Sequence, residues 1–144
     1  MKVSTKGRYA MRALSHLARS YSDSGNSPVS IKEICKSEKF SNRYLENIFV
    51  KLRKAGIVKS LKGEKGGFML AMKPSEVSIY DILTAVETDV APSRCSVDIT
   101  ACERAKGCGI RGVWMGLNAK MKEYLSQTNL EQVKKLHFGS NGKK

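Results

Sequence analysis

Apolar residues recur every three or four positions over several stretches of the chain, a spacing that predicts amphipathic helices. The first helix spans about residues 5 to 22, with Ala10, Leu14 and Leu17 on its apolar face. Ser30 and Ser41 suit the N-caps of two further helices, because a serine oxygen can accept an unpaired amide hydrogen of the first turn. The apolar stripe of the third helix consists of Leu45, Ile48, Phe49 and Leu52.

The periodicity changes after Gly56, where this third helix is expected to end. Residues 57–61 and 68–71 are predicted to form the two strands of a hairpin. Between them lie Gly63, Gly66 and Gly67, which permit the positive φ angles that a tight turn needs.

Helical spacing returns in the second half of the chain. Ser78 is placed to cap a fourth helix, and residues 89–107 are predicted to be an irregular loop. A longer helix follows, whose apolar stripe consists of Ile110, Val113, Trp114, Leu117, Met121 and Leu125. Thr128 is expected to start a short last helix around Leu130, Val133 and Leu136, and residues 139–144 are expected to be disordered.

Two short helices, a tight turn and a helix with one polar face, followed by a hairpin, are typical of a winged helix-turn-helix. We therefore predict a mainly α fold with a small β-hairpin wing and a long C-terminal dimerisation helix. Residues 1–73 would be the DNA-binding domain, 74–88 a connecting helix and 89–108 a cysteine-bearing loop. Residues 109–138 would hold the dimerisation helix and the short helix, before the 139–144 tail.

The charge distribution agrees with a nucleic-acid partner. Of the net charge of +13, residues 1–73 carry +11, from 16 basic and five acidic side chains. Residues 74–144 carry 10 basic and eight acidic side chains, a net charge of only +2. Because a general solubilising surface would spread its charge evenly, the first half is expected to face a polyanion.

The polar face of the third helix and the hairpin tip are the predicted DNA contacts. Near the start of a recognition helix, Asn47 could pair with adenine and Glu46 could accept from cytosine, whereas Lys51 suits a phosphate. Lys62 and Lys65 at the hairpin tip are expected to reach the backbone or a narrow minor groove. The full predicted set is Ser41, Asn42, Arg43, Tyr44, Glu46, Asn47, Lys51, Lys62, Gly63 and Lys65.

Three cysteines, Cys95, Cys102 and Cys108, lie close together in the predicted loop. Thiolates at this spacing suit an iron–sulfur cluster or zinc, although the CxxC pairs of structural zinc sites are absent from the sequence. A disulfide switch between any two of them, or three unrelated thiols, remains open. Cys35 is predicted to be a small core residue, and His16 is predicted to be an ordinary residue of the first helix.

The sequence favours a cytoplasmic homodimer. The stripe around Trp114 exceeds what a small wing domain can cover, and a dimer would place two recognition helices about 34 Å apart on a palindrome-like operator of double-stranded DNA. No apolar run approaches the roughly 20 residues that span a bilayer, so no membrane partner is expected. The sequence suggests no nucleophile–base arrangement and contains no phosphate-binding loop, so an enzyme is not expected.

Four segments resemble the IscR-type winged-helix transcription regulators, a family that includes NsrR-type nitric oxide sensors and CymR-type cysteine-metabolism repressors. These segments are Ser4–Ala10, Ser41–Glu46, Leu52–Val58 and Lys62–Phe68. The resemblance implies a homodimer with crossed C-terminal helices, DNA reading by the third helix and wing, and a 2Fe–2S cluster on Cys95, Cys102 and Cys108. A 4Fe–4S form occurs in the nitric oxide-sensing branch. Glu46 matches a glutamate that helps to discriminate between classes of DNA site.

The chain departs from this family's pattern at the fourth ligand. IscR-like members carry a histidine three residues after the last cysteine, and here that position is Arg111. The fourth ligand could be Asp98, Glu103, a residue of the partner's first helix or a small molecule. Lys62 also replaces the arginine common at the wing tip, and lysine is more strongly hydrated.

These features predict a dimeric transcription regulator, a repressor, whose DNA binding is modulated by an iron–sulfur cluster. One alternative is a cluster-free repressor that responds to thiol oxidation or nitric oxide. Another is a CymR-like regulator that acts through a partner enzyme of cysteine metabolism.

Overall fold

The computed structural model describes residues 2–139. Its helices are α1 (Thr5–Ser24), α2 (Ile31–Glu38), α3 (Asn42–Lys54), α4 (Ile79–Val86), α5 (Arg111–Gln127) and α6 (Leu130–Phe138). The strands β1 (Val58–Leu61) and β2 (Gly67–Leu70) form an antiparallel hairpin between α3 and α4. This order confirms the predicted mainly helical, winged fold. The predicted tail lies outside the described residues apart from Gly139.

Serine caps fix the beginnings of four helices. The hydroxyls of Ser4, Ser30, Ser41 and Ser78 each accept the amide hydrogen three residues ahead. At α4 the Asp81 carboxylate also accepts from the Ser78 amide, which completes a capping box. The last helix starts one residue later than predicted, because Asn129 caps it and Thr128 ends α5.

One hydrophobic core joins the helices, and α1 runs through its centre. Ala10, Leu14 and Leu17 of α1 are buried together with Phe49 of α3. The last helix belongs to this core, since Leu130 is fully buried within it. The two ends of the described chain are therefore packed against each other.

The wing hairpin is anchored to the rest of the fold. Val29, just before α2, exchanges two backbone hydrogen bonds of 2.8 Å with Phe68, so this segment extends the sheet beside β2. Gly67 has a φ of +153°, and a side chain there would press on the Val29 carbonyl. Gly63 also has a positive φ, but Gly66 does not. The prediction of a positive φ is therefore wrong for Gly66 alone, where glycine is favoured because a Cβ would collide with the Leu61 carbonyl oxygen.

The C-terminal half carries a cysteine loop and a largely solvent-facing helix. The loop contains three short 3-10 turns, at Arg94–Ser96, Ile99–Ala101 and Ala105–Gly107. Within α5, all of whose residues are described, no side chain is fully buried. In α6, Leu136 is 80% exposed, whereas Phe138 is buried, so the apolar face differs from the one the sequence suggested.

Candidate nucleic-acid interface and cysteine loop

The packing of α3 leaves its polar face open to solvent. Leu45, Ile48, Phe49 and Leu52 are buried, as their spacing predicted. The opposite side presents the exposed residues Ser41, Asn42, Arg43, Glu46, Asn47 and Lys51. Their backbone is held by the Ser41 hydroxyl, which accepts from the Tyr44 amide at 3.5 Å. A capped helix with this exposed face can enter a major groove and present its first turns to base edges.

Tyr44 differs from the other predicted contact residues because it is only partly exposed. Its ring meets the ring of Tyr9 edge to face, with centroids 5.4 Å apart. Tyr9 in turn stacks on Phe40 at 3.8 Å. This aromatic cluster fixes the first turn of α3 against α1, so Tyr44 positions the helix as well as bordering its open face.

A groove of about 450 Å³ lies beside α3, and three lysines line it. Lys51 and Lys54 come from α3, and Lys6 comes from the first turn of α1. Three ammonium groups around one groove suit contact with nucleic-acid phosphates. Sequence reasoning missed Lys6, because only the fold brings the start of α1 beside a helix about 40 residues later.

The wing tip is a compact turn that exposes Lys62, Gly63 and Lys65. The Gly66 amide donates to the Gly63 carbonyl at 3.0 Å and closes the turn. Along the hairpin, the Arg53 guanidinium of α3 lies 3.5 Å from the Ser60 hydroxyl of β1. The two lysines are therefore carried on a short sheet that contacts the end of α3.

The three loop cysteines are free thiols on neighbouring turns. Cys95 and Cys108 are half-buried, and Cys102 is exposed. The Ser93 hydroxyl lies 3.3 Å from the Cys95 sulfur, within hydrogen-bond distance. In the described part of the chain, the three sulfur atoms do not lie within 4.8 Å of one another.

Two side chains of the loop region are already engaged. The Arg111 Nε donates to the Cys95 carbonyl at 2.6 Å and ties the start of α5 to the loop. Asp98 accepts from the Thr100 hydroxyl at 2.6 Å and from the Thr100 amide at 2.9 Å. These hydrogen bonds lower the pKa of the Asp98 carboxyl, which therefore stays ionised.

Cys35 lies apart from the loop cysteines, on the buried face of α2 in the core. Burial raises the pKa of its thiol, and the nearby Glu46 carboxylate raises it further. A buried thiol with a raised pKa is a poor nucleophile and a poor metal ligand. The predicted core role agrees with this placement.

None of the helices in the described part of the chain is long and apolar enough to cross a membrane.

Comparisons with known proteins agree with this architecture. A family model described as Rrf2, an iron-dependent transcriptional regulator, matches residues 3–135. The transcriptional regulator IscR of Cereibacter sphaeroides is 40% identical over 136 residues, covering 92% of this chain and 86% of that protein.

Solved structures of two regulators superpose well on this chain. CymR (YrzC), the global cysteine regulator of Bacillus subtilis, has a TM-score of 0.76 and 34% identity, covering 94% of this chain and 98% of that one. IscR of T. potens has a TM-score of 0.69 and 32% identity, covering 92% of this chain and 85% of that one. These relatives are transcriptional regulators, not enzymes. The resemblance to IscR-type regulators is thus confirmed, and the chain belongs to the Rrf2 family of transcriptional regulators.

Proposed function

We propose that this protein is a homodimeric repressor that binds a palindrome-like operator through α3 and the wing. The observation that carries this proposal is the open polar face of α3 with the three-lysine groove beside it. In this arrangement Asn47 and Glu46 read base edges, and the lysines neutralise phosphates. Lys62 and Lys65 hold the neighbouring backbone or minor groove from the wing tip.

The proposed dimer uses the apolar face of α5. Val113, Trp114 and Leu117 of this helix are exposed, as is Ile110 just before it, and even the large Trp114 side chain is 39% exposed. Met121 and Leu125 of the same stripe are half-buried against their own chain. An apolar patch of this extent on a regulator is typical of a protein–protein interface, and a second copy presents the same patch to it.

We further propose that Cys95, Cys102 and Cys108 hold an iron–sulfur cluster that modulates DNA binding, a 2Fe–2S cluster with 4Fe–4S as the other form. The three cysteines can supply three of the cluster's protein ligands, since all three thiols are free and at least partly accessible. When bound, the cluster would supply a redox-active centre. The loop would have to tighten to bring the sulfurs around it.

The fourth ligand is the position where this chain differs from IscR-like regulators. Arg111 is engaged with the Cys95 carbonyl, and a guanidinium offers no lone pair to a metal. Asp98 is engaged with Thr100 but remains ionised, so it could change partner. Glu103 is exposed, and a partner residue or a small molecule could also complete the set.

The first experiment is a visible absorption spectrum of protein purified without oxygen, with iron and sulfide measured on the same sample. We expect charge-transfer bands with iron and sulfide in equal amounts. The C95A/C102A/C108A variant should lose both while remaining a folded dimer. The matched control is C35A, which removes the buried thiol and should keep the colour; a coloured triple variant would refute the site.

A second candidate function is a cluster-free regulator, either a repressor that responds to thiol oxidation or nitric oxide or a CymR-like regulator that acts through a partner enzyme. Two observations favour it: Arg111 stands where a ligand is expected, and CymR superposes on this chain with a TM-score of 0.76. In this case the protein is colourless and cannot be reconstituted with iron and sulfide. Its DNA binding then responds to thiol oxidation or nitric oxide, or to a partner enzyme of cysteine metabolism.

DNA binding separates a stand-alone regulator from one that needs a partner. Double-stranded DNA sites selected from a random pool should bind the dimer specifically, with a steep fall in affinity as salt rises. If binding is weak and becomes tight only when a cysteine-biosynthesis enzyme is added, the partner-dependent function is correct.

A further inference from the structure

Three side chains from distant parts of the sequence meet where α1, α2 and α6 pack together. Glu38, at the end of α2, is contacted by His16 of α1 and His137 of α6, which are 22 and 99 residues away in sequence. One carboxylate oxygen, Oε2, lies 2.6 Å from the Nε2 of His16 and 2.9 Å from the Nε2 of His137. The three candidate ligand atoms all lie within 4.8 Å of one another.

This cluster is nearly sealed from solvent. The side chains of Glu38, His16 and His137 are 2%, 6% and 12% exposed. Burial lowers the pKa of His16 even though its hydrogen bond to Glu38 acts in the opposite direction. Burial alone would raise the pKa of Glu38, but the hydrogen bonds from both histidines outweigh it and the pKa is lowered.

With both pKa values lowered, Glu38 is an ionised carboxylate beside a neutral His16 near pH 7. Metal ions bind the deprotonated forms of their ligands, so this protonation pattern requires no proton to be removed from His16 or Glu38. A neutral imidazole carries one hydrogen, which can reside on either nitrogen. Binding of His16 through Nε2 therefore moves that hydrogen to Nδ1, and His16 releases no proton.

We propose that His16, Glu38 and His137 form a binding site for a divalent transition-metal cation. Two imidazole nitrogens and one carboxylate oxygen are a common set of three protein ligands for Zn²⁺, with a fourth position left for water. The same set suits Fe²⁺. Since the site contains no thiol, it is distinct from the cysteine loop in both position and chemistry.

An ion can reach the site from the side of His137. An open groove of about 370 Å³ is lined by Met11 and Ser15 of α1 and by Val133 and His137 of α6. Arg12 and Arg8 also line it, and the Arg12 Nη1 lies 3.6 Å from the Glu38 Oε1. The positive charge of Arg12 would repel a bound cation, but its side chain is half exposed and can turn into solvent.

A bound ion would join the last helix to the helix-turn-helix. Glu38 is the final residue of α2, and only Lys39, Phe40 and Ser41 separate it from α3. The ion would therefore fix the position of α6 against the element that leads into the DNA-reading helix.

The test uses the full chain with the loop thiols removed, C95A/C102A/C108A, so that they cannot bind the probe. Zn²⁺ is titrated against a chromophoric chelator, and Co²⁺ reports the ligand type by visible absorption. We expect one ion per chain, without thiolate-to-metal absorption bands. Zn²⁺ at about 100 times its Kd should raise the Tm by about 5 to 10 °C.

Two further substitutions on that background test the assignment. In H137Q the glutamine amide can still donate a hydrogen bond to Glu38, so the variant should fold. Because an amide is a weak metal ligand, the variant should lose most of its affinity for Zn²⁺. R12A removes the opposing charge at a half-exposed position and should bind Zn²⁺ several-fold more tightly. The proposal fails if the parent binds no stoichiometric Zn²⁺, if folded H137Q binds as tightly as the parent, or if R12A does not strengthen binding.

Discussion

Glycine has three different roles in the wing turn. At Gly63 the backbone has a φ of +115° and open space around it, so only conformation favours glycine there. At Gly66 the φ is ordinary, and the Leu61 carbonyl leaves no room for a side chain. Gly67 has both a positive φ and the Val29 backbone beside it. The three glycines predicted the turn from the sequence, but only the folded backbone shows why glycine is favoured at each position.

Alanine substitutions at these glycines should have graded effects. G67A should lower the free energy of unfolding by roughly 2 kcal/mol or more, because strain and a backbone collision add. G63A should cost about 1 kcal/mol, from strain alone. G107A, at a glycine with open space and no positive φ, is the control and should change little. Urea unfolding measures all three, and equal losses at Gly63 and Gly67 would contradict the proposed collision.

Other residues show which features can be predicted from a local sequence pattern and which cannot. Ser41 and the exposed face after it were predictable, since a cap and a stripe involve neighbours in sequence. The meeting of His16 with Glu38 and His137 was not, and His16 was predicted to be an ordinary helix residue. Contacts across 99 residues leave no periodic trace in the chain.

At the scale of elements, helix starts were predicted more accurately than helix faces. Serine caps located α2, α3 and α4 because capping depends on three or four consecutive residues. In α6, spacing alone suggested an apolar set that included Leu136, which the structure exposes. The choice of buried face depends on tertiary contacts, here the packing of His137 and Phe138 on α1 and α2.

The wing's part in DNA binding is testable through salt dependence. The K62A/K65A variant should bind DNA more weakly across all sequences, since we propose that these exposed lysines contact phosphate. Each lost phosphate contact should reduce the slope of log affinity against log salt by about 1. K120A, which removes an exposed lysine from α5, is the control and should keep the slope. An unchanged slope in K62A/K65A would exclude the wing tip from the interface.

At the scale of the whole molecule, the exposed apolar face of α5 is the proposed dimer interface. W114E and L117E place a charge within its exposed apolar face, so they should convert a dimer to monomers at micromolar concentration. A119E places the same charge on the opposite side of the same helix and should leave the dimer intact. Sedimentation velocity distinguishes these states. A dimer that survives in both W114E and L117E would require a different interface.

The packing of α6 in the same core as α1 has a consequence for biosynthesis. Domains usually fold from the N-terminus as the chain leaves the ribosome. Here the core around α1 is incomplete until Leu130 is available, so the N-terminal half cannot finish folding early in translation. A prematurely terminated chain that lacks α6 would leave apolar surface of α1 uncovered. We expect such fragments to be degraded rather than to bind DNA, so that only completed polypeptides act as regulators.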